Sequence, residues 1–188
     1  LPLLFERKFT HSESLLSGYF DYRAHYVSLY KLFLSREWGY GSSGFPNEKL
    51  NLSLGIVQWI FGLVIAPLLA LVSFKRDKKF SIFVLLLSFI TLLTVFLIHI
   101  RSSFVWSAIP ILKWLQFPWR FLGVSIFLLS VLCGCAVKLL GRWKIPVGVI
   151  AIMLAFLLTI GFFKPKDWLY ITDKEKFSGQ SWEKQLTI

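Results

Sequence analysis

Four long apolar runs, at about residues 53–74, 80–100, 119–140 and 145–163, dominate the hydropathy pattern of the chain. Each is near the roughly 20 residues that an α-helix needs to cross a hydrocarbon core. None carries Asp, Glu or Lys in its central part. Polar positions do not recur as a stripe: residues 80–100 offer only Ser81, Ser88, Thr91, Thr94 and His99, too few for the solvated face of a soluble helix. The pattern predicts an all-α membrane protein, a bundle of four transmembrane helices. Pro67 lies within the first run and predicts a kink there. The joint Phe117-Pro118-Trp119-Arg120-Phe121 opens the third run. Proline suits a helix's first turn, and Trp119 and Arg120 are headgroup-level residue types, so the joint reads as the point where the chain re-enters the bilayer.

The flanking stretches read as surface elements. Residues 1–52 form an outer-face, aromatic-rich segment. In it Asp21 caps an expected helix over 22–34, with Tyr22, Tyr26, Leu29, Tyr30 and Phe33 at helical spacing. Such an amphipathic helix would lie in the membrane interface, and the glycines and Pro46 of residues 38–46 mark a loop after it. Between spans two and three, Trp106, Ile109, Leu112 and Leu115, with Lys113 and Gln116 off that stripe, predict a short interfacial helix. Residues 164–188 read as an outer-face, incomplete tail. Leu1-Pro2-Leu3-Leu4-Phe5 looks like the end of an earlier apolar segment, so a fragment of a longer multi-spanning protein is expected.

Charge changes the picture by giving it a direction. The net charge of +11 sits in short clusters beside the apolar runs, not along a face, and no nucleic-acid module accompanies it, so no nucleic-acid partner is expected. Lys75-Arg76-Asp77-Lys78-Lys79 separates the first two runs, while Lys138, Arg142 and Lys144 surround the turn before the fourth. Two spans lie between these clusters, so both belong on one side. The positive-inside rule makes loops 75–79 and 141–144 cytoplasmic in a multi-pass plasma-membrane protein, with both ends of the chain outside. Cys133 and Cys135, about 200° apart on a helix, are read as small hydrophobes rather than a disulfide. The pairs Ala66/Ala70, Ser130/Gly134 and Ala151/Ala155 are spaced for close helix approach.

Candidate chemistry gathers on the outer face. The spans are nearly free of ionisable residues, and the one candidate to face a cavity within them is His99 at an outer end, which weighs against an ion-coupled transporter. Arg101 and Arg120 are candidates for a lipid-linked phosphate, because a guanidinium offers a fixed fork of donors; each is also suited to anchoring at the interface. Glu6 and Asp21 are the candidate catalytic carboxylates, as general bases toward a sugar hydroxyl, and Asp21 is equally suited to capping. His11, His25 and His99 match no metal-site spacing, and nucleotide-binding, nucleophile-elbow and zinc-protease patterns are absent. No metal and no cofactor are expected.

The order of several short motifs adds a family resemblance. Pro2-Leu3-Leu4-Phe5-Glu6 leads into Tyr19, Asp21, Tyr22 and His25, then Trp38-Gly39-Tyr40-Gly41, Asn51-Leu52-Ser53-Leu54-Gly55 and Phe117-Pro118-Trp119-Arg120-Phe121-Leu122. This resembles the bacterial and archaeal polytopic membrane proteins labelled "6-pyruvoyl-tetrahydropterin synthase-related", akin to the YfhO group. The resemblance implies a GT-C-type glycosyltransferase, using a polyprenyl-phosphate-linked sugar donor at the extracytoplasmic face. It also implies a catalytic acid in an early outer loop that would precede Leu1. The chain shows none of the zinc-site pattern of the soluble pterin synthase. The alternative from another class is a non-catalytic membrane scaffold or lipid-handling subunit, its partner the membrane lipid itself.

Overall fold

Asp77 starts the longest α-helix: its Oδ1 accepts from Phe80 N at 3.1 Å, satisfying an otherwise unpaired donor of the first turn. The computed structural model describes residues 18–36, 50–163 and 170–179. Its helices are α1 (Leu29–Phe33), α2 (Ile56–Val72), α3 (Lys78–Ile98), α4 (Ser103–Ala108), α5 (Phe121–Leu139), α6 (Lys144–Thr159) and α7 (Asp173–Lys176), joined in part by 3₁₀ turns. No strand occurs among the described residues. The chain divides after Leu158 into two compact units. In the second, Thr172 and Glu175 form a reciprocal capping box at the start of α7.

Three helical stretches are long and apolar enough to cross a membrane: Lys78–Ile98, Pro118–Leu139 and Gly141–Phe163, of 21, 22 and 23 residues. At about 1.5 Å per residue each reaches about 30 Å. The first expected span is shorter, because α2 begins at Ile56 instead of residue 53. Gly55 has a φ of +82°, Asn51 Oδ1 accepts from Ser53 N at 2.9 Å, and Leu54 N donates to Leu32 O at 2.8 Å. These contacts hold residues 51–55 out of the helix. Just before Pro67, Ile60–Ile65 widen into a π-helical segment. Pro67 lacks the N–H that would bond Leu63 O, and the wider turn accommodates its ring.

Several polar side chains of α3 turn inward while many of its apolar ones face outward. Ser81, Ser88 and Thr91 of α3 are buried, while Phe83, Leu86, Phe89, Leu92 and Leu93 are exposed. Ser88 Oγ donates to Val84 O at 2.9 Å and Thr91 Oγ1 to Leu87 O at 2.8 Å, so these two hydroxyls are satisfied within the helix, whereas Ser81 Oγ finds no partner among the described residues. Ser125 Oγ of α5 donates to Thr94 Oγ1 at 2.9 Å, linking the two helices. No residue of α6 is buried against the described chain. A soluble protein rarely exposes so continuous an apolar surface.

Two core clusters fill the bundle. One joins Val27, Leu32, Leu52 and Leu54 to Val95, Ile98 and Leu129. The other packs Ala66 and Ala70 of α2 against Val84, Leu132, Cys135 and Ala136. Cys135 is thus a small core hydrophobe, and Cys133 Sγ lies 3.5 Å from Gln58 O, toward which it donates; neither forms a disulfide. Lys138 Nζ lies 3.8 Å from the centroid of the Phe80 ring, which brings the 75–79 turn beside the end of α5. Both basic turns therefore occupy one end of the bundle.

The helix expected over 22–34 is a correction. Asp21 does cap, its Oδ1 accepting from Arg23 N at 2.9 Å, but the helix it starts is a 3₁₀ turn that ends at Ala24. Residues 25–28 are not helical, and Ser28 caps α1 anew. The break follows from Val27 N donating to Ile98 O at 3.1 Å: a continuous helix would have kept that donor for itself. The expected loop at 38–46 lies outside the described residues.

Candidate functional site

The end of α3 opposite the basic turns leaves its last carbonyls without intrahelical donors, and the flanking segments converge to supply them. Trp106 Nε1 donates to Leu97 O at 3.0 Å, Val27 N to Ile98 O, and Ser102 Oγ to His99 O at 2.8 Å. Trp59 Nε1 adds a bond of 2.9 Å to Phe33 O, and an Arg36 guanidinium nitrogen donates to Leu158 O at 3.0 Å. Residues 18–36 are thereby laid over the helix ends.

The layer so formed is aromatic. Tyr22 stacks on Trp106 at 5.3 Å, Tyr26 meets Trp106 edge-on at 6.3 Å, and Phe121 meets it at 6.1 Å. A second group joins Phe20, His25, Phe117 and Trp119: the buried His25 ring meets Phe117 edge-on at 4.7 Å, and Trp119 stacks on Phe117 at 5.3 Å. The Tyr22 and Ser107 hydroxyls share a hydrogen bond of 3.4 Å, which holds the Tyr22 phenol below its ordinary value. Burial pushes the Tyr26 phenol up.

Beside this layer a cleft of about 400 Å³ lies between residues 23–28 and the end of α3, lined by Arg23, Tyr26, Ser28 and His99 among others. His99 Nδ1 accepts from Arg101 N at 3.2 Å, so the neutral ring carries its proton on Nε2. Burial, and then the Arg101 charge, hold His99 below the ordinary imidazole value. The cleft therefore offers a guanidinium, an imidazole and a hydroxyl: chemistry suited to an anion or a hydroxyl-rich headgroup.

That lowered value carries a pH prediction. Unfolded His99 binds its proton more readily than folded His99, so its contribution to stability is complete above the unfolded value of about 6.5 and declines as pH falls below it. Thermal midpoints measured from pH 8 to pH 5 should fall less steeply in His99→Gln than in the wild type. Parallel curves would remove His99 from the acid response.

The other sequence candidates are placed as follows. Arg101 and Arg120 are both exposed at the cleft's end of the bundle. Arg120 lies over the Phe117 ring, 5.1 Å from its centroid. Neither lines the cleft. Asp21 is occupied as a cap, and Glu6 and His11 lie outside the described residues. His25 sits against Phe117 while His99 lines the cleft, and no group of three potential metal ligands occurs among the described residues. Nothing in the spacing of Arg23 marks it as cleft-lining, because the cleft arises from the break at residues 25–28. Trp106, expected on an interfacial stripe, is instead buried at the layer's centre.

Comparison with protein-family models, with curated proteins and with solved structures finds no match.

Proposed function

We propose that this chain belongs to a multi-pass plasma-membrane protein with four spans, the shorter α2 being the first. In this reading it is GT-C-like and related to the "6-pyruvoyl-tetrahydropterin synthase-related" group. It takes a polyprenyl-phosphate-linked sugar at the extracytoplasmic face, with the basic turns cytoplasmic. The described residues serve as the seat for the donor's phosphate. The supporting observation is the collection of Arg23, Arg101 and Arg120 at one end of the helices, around an aromatic layer and beside a cleft that holds a neutral His99.

The test is sugar transfer by the protein together with the early outer loop that the resemblance implies, reconstituted in liposomes with a polyprenyl-phosphate sugar donor. Arg120→Ala and Arg101→Ala should each raise the donor KM about tenfold, as loss of a charge-assisted hydrogen bond implies. Lysine at either position should restore part of the loss, and thermal midpoints should stay unchanged. Unchanged donor KM in both variants would remove the phosphate role and leave the arginines as interfacial anchors.

Asp21 favours the second reading, a non-catalytic scaffold or lipid-handling subunit, because its carboxylate is spent on a backbone N–H. Binding of the polyprenyl phosphate without sugar transfer would decide for it.

A further inference from the structure

The opposite end of the bundle carries its own chemistry. Four cations lie on the 75–79 turn and three more, Lys138, Arg142 and Lys144, around the other turn. One acid, Asp77, accompanies them, and its Oδ1 is engaged by Phe80 N. Packing of α3 on α5 brings the first turn against the last residues of α5, around a small cleft of about 80 Å³ lined by Ser73, Arg76, Asp77, Phe80, Lys138 and Leu139. Lys138 is held there by the Phe80 ring, not by a carboxylate. Trp143, 57% exposed, stands on the adjoining turn with Arg142 against its ring, as expected at headgroup depth.

We propose that this end is a binding surface for an anionic phospholipid, whose phosphate enters the cleft between Arg76 and Lys138. The space is on the scale of one phosphate, so the rest of the headgroup stays outside, facing the surrounding cations. Charge bias alone would orient the helices. What goes further is the convergence of two cations far apart in sequence, Arg76 of the first turn and Lys138 of the last turn of α5, on one recess with the Ser73 hydroxyl in it. The acyl chains then run along the exposed apolar faces of the helices. Cations near an anionic surface contribute individually, each about fivefold in affinity, and salt weakens them.

The proposal rests on the reading of the long helices as membrane spans, and the experiment separates the two. The whole chain is placed in nanodiscs and, in detergent, titrated with short-chain phosphatidylglycerol, short-chain phosphatidylcholine or inorganic phosphate while native mass spectra and thermal midpoints are recorded. Phosphatidylglycerol should bind at least about tenfold more tightly than phosphatidylcholine, with inorganic phosphate far weaker than either at equal concentration. Arg76→Gln with Lys138→Gln should remove about tenfold or more of the phosphatidylglycerol affinity and leave phosphatidylcholine unchanged. The exposed pair Lys75→Gln with Lys79→Gln, which touches no packing in the cleft, should give a smaller loss of the same kind and serves if the first variant does not fold. Equal binding of the two lipids, or full phosphatidylglycerol affinity in both variants, would overturn the site. Inorganic phosphate matching phosphatidylglycerol would make the ligand a free anion and overturn the lipid assignment. Failure to enter nanodiscs would instead overturn the membrane reading itself.

Discussion

Trp106→Ala should destabilise the protein by about 3–5 kcal/mol, the range for removing a fully buried large aromatic. In a chain of this size that corresponds to a fall in the thermal midpoint of roughly 10 °C. The indole is completely buried. It is stacked on Tyr22, edge-on to Tyr26 and Phe121, and bonded through Nε1 to Leu97 O. Truncation removes three aromatic contacts and leaves a cavity between residues 22–26 and the start of α5. The Leu97 carbonyl would keep only Ser102 Oγ, at 3.2 Å. Trp106→Phe retains the ring contacts and loses the donor, so about 1–2 kcal/mol is expected. A tryptophan that merely anchored the chain in headgroups would give far smaller losses for both. Thermal unfolding in detergent, followed by intrinsic fluorescence with Trp106→Phe as the reference, distinguishes the cases.

Trp106 also marks the limit of what the sequence discloses. The long helices are legible because their signal is a run: residues 78–98 need only be apolar and end at a cap. Asp77 before the run and His99 after it supply the boundaries to within two residues. The burial of Ser81, Ser88 and Thr91 inside the bundle fits a lipid surround, which offers hydroxyls no partners. The segments between helices are less legible. Tyr22, Tyr26, Leu29, Tyr30 and Phe33 keep helical spacing, yet Tyr22 and Tyr26 face Trp106 while Leu29 and Tyr30 are exposed. The deciding term is one long-range hydrogen bond, Val27 N to Ile98 O, which no local pattern encodes. The same break opens the cleft, so Arg23 and His99 could be named as polar outer-face residues but not placed together. The small-residue pairs divide likewise. Ala66 and Ala70 are buried at a helix contact, whereas a side chain added at Gly134 would meet nothing within 4 Å.

Gly62, in none of those pairs, sits directly against Leu129 of α5, and Gly62→Leu should be strongly damaging. A Cβ at Gly62 would lie 2.7 Å from Leu129 Cδ2 and 3.3 Å from Leu129 O. Leu129 is itself fully buried, so it has nowhere to swing. Gly62→Ala should therefore cost about 1–3 kcal/mol, the usual range for overpacking, despite alanine's better helix propensity. Gly62→Leu should exceed that range, because its remaining carbons can be housed only by moving α2 away from α5. Gly134→Ala is the control: with open space around it, propensity alone acts, and a gain of up to about 1 kcal/mol is expected. The pair of measurements tests the position of the π-helical segment directly. Gly62 lies within Ile60–Ile65, and a regular helix through these residues would turn the residues after it by a fraction of a turn and aim a different position at Leu129. If Gly62→Ala proves harmless while substitution at Leu63 or Phe61 does not, the register of α2 is that of a regular helix. If Gly62→Leu alone abolishes folding, the widened turn set by Pro67 is what lets α2 and α5 touch. The close packing of α5, and with it the position of the Pro118–Arg120 joint at its start, then depends on a glycine and a proline five residues apart.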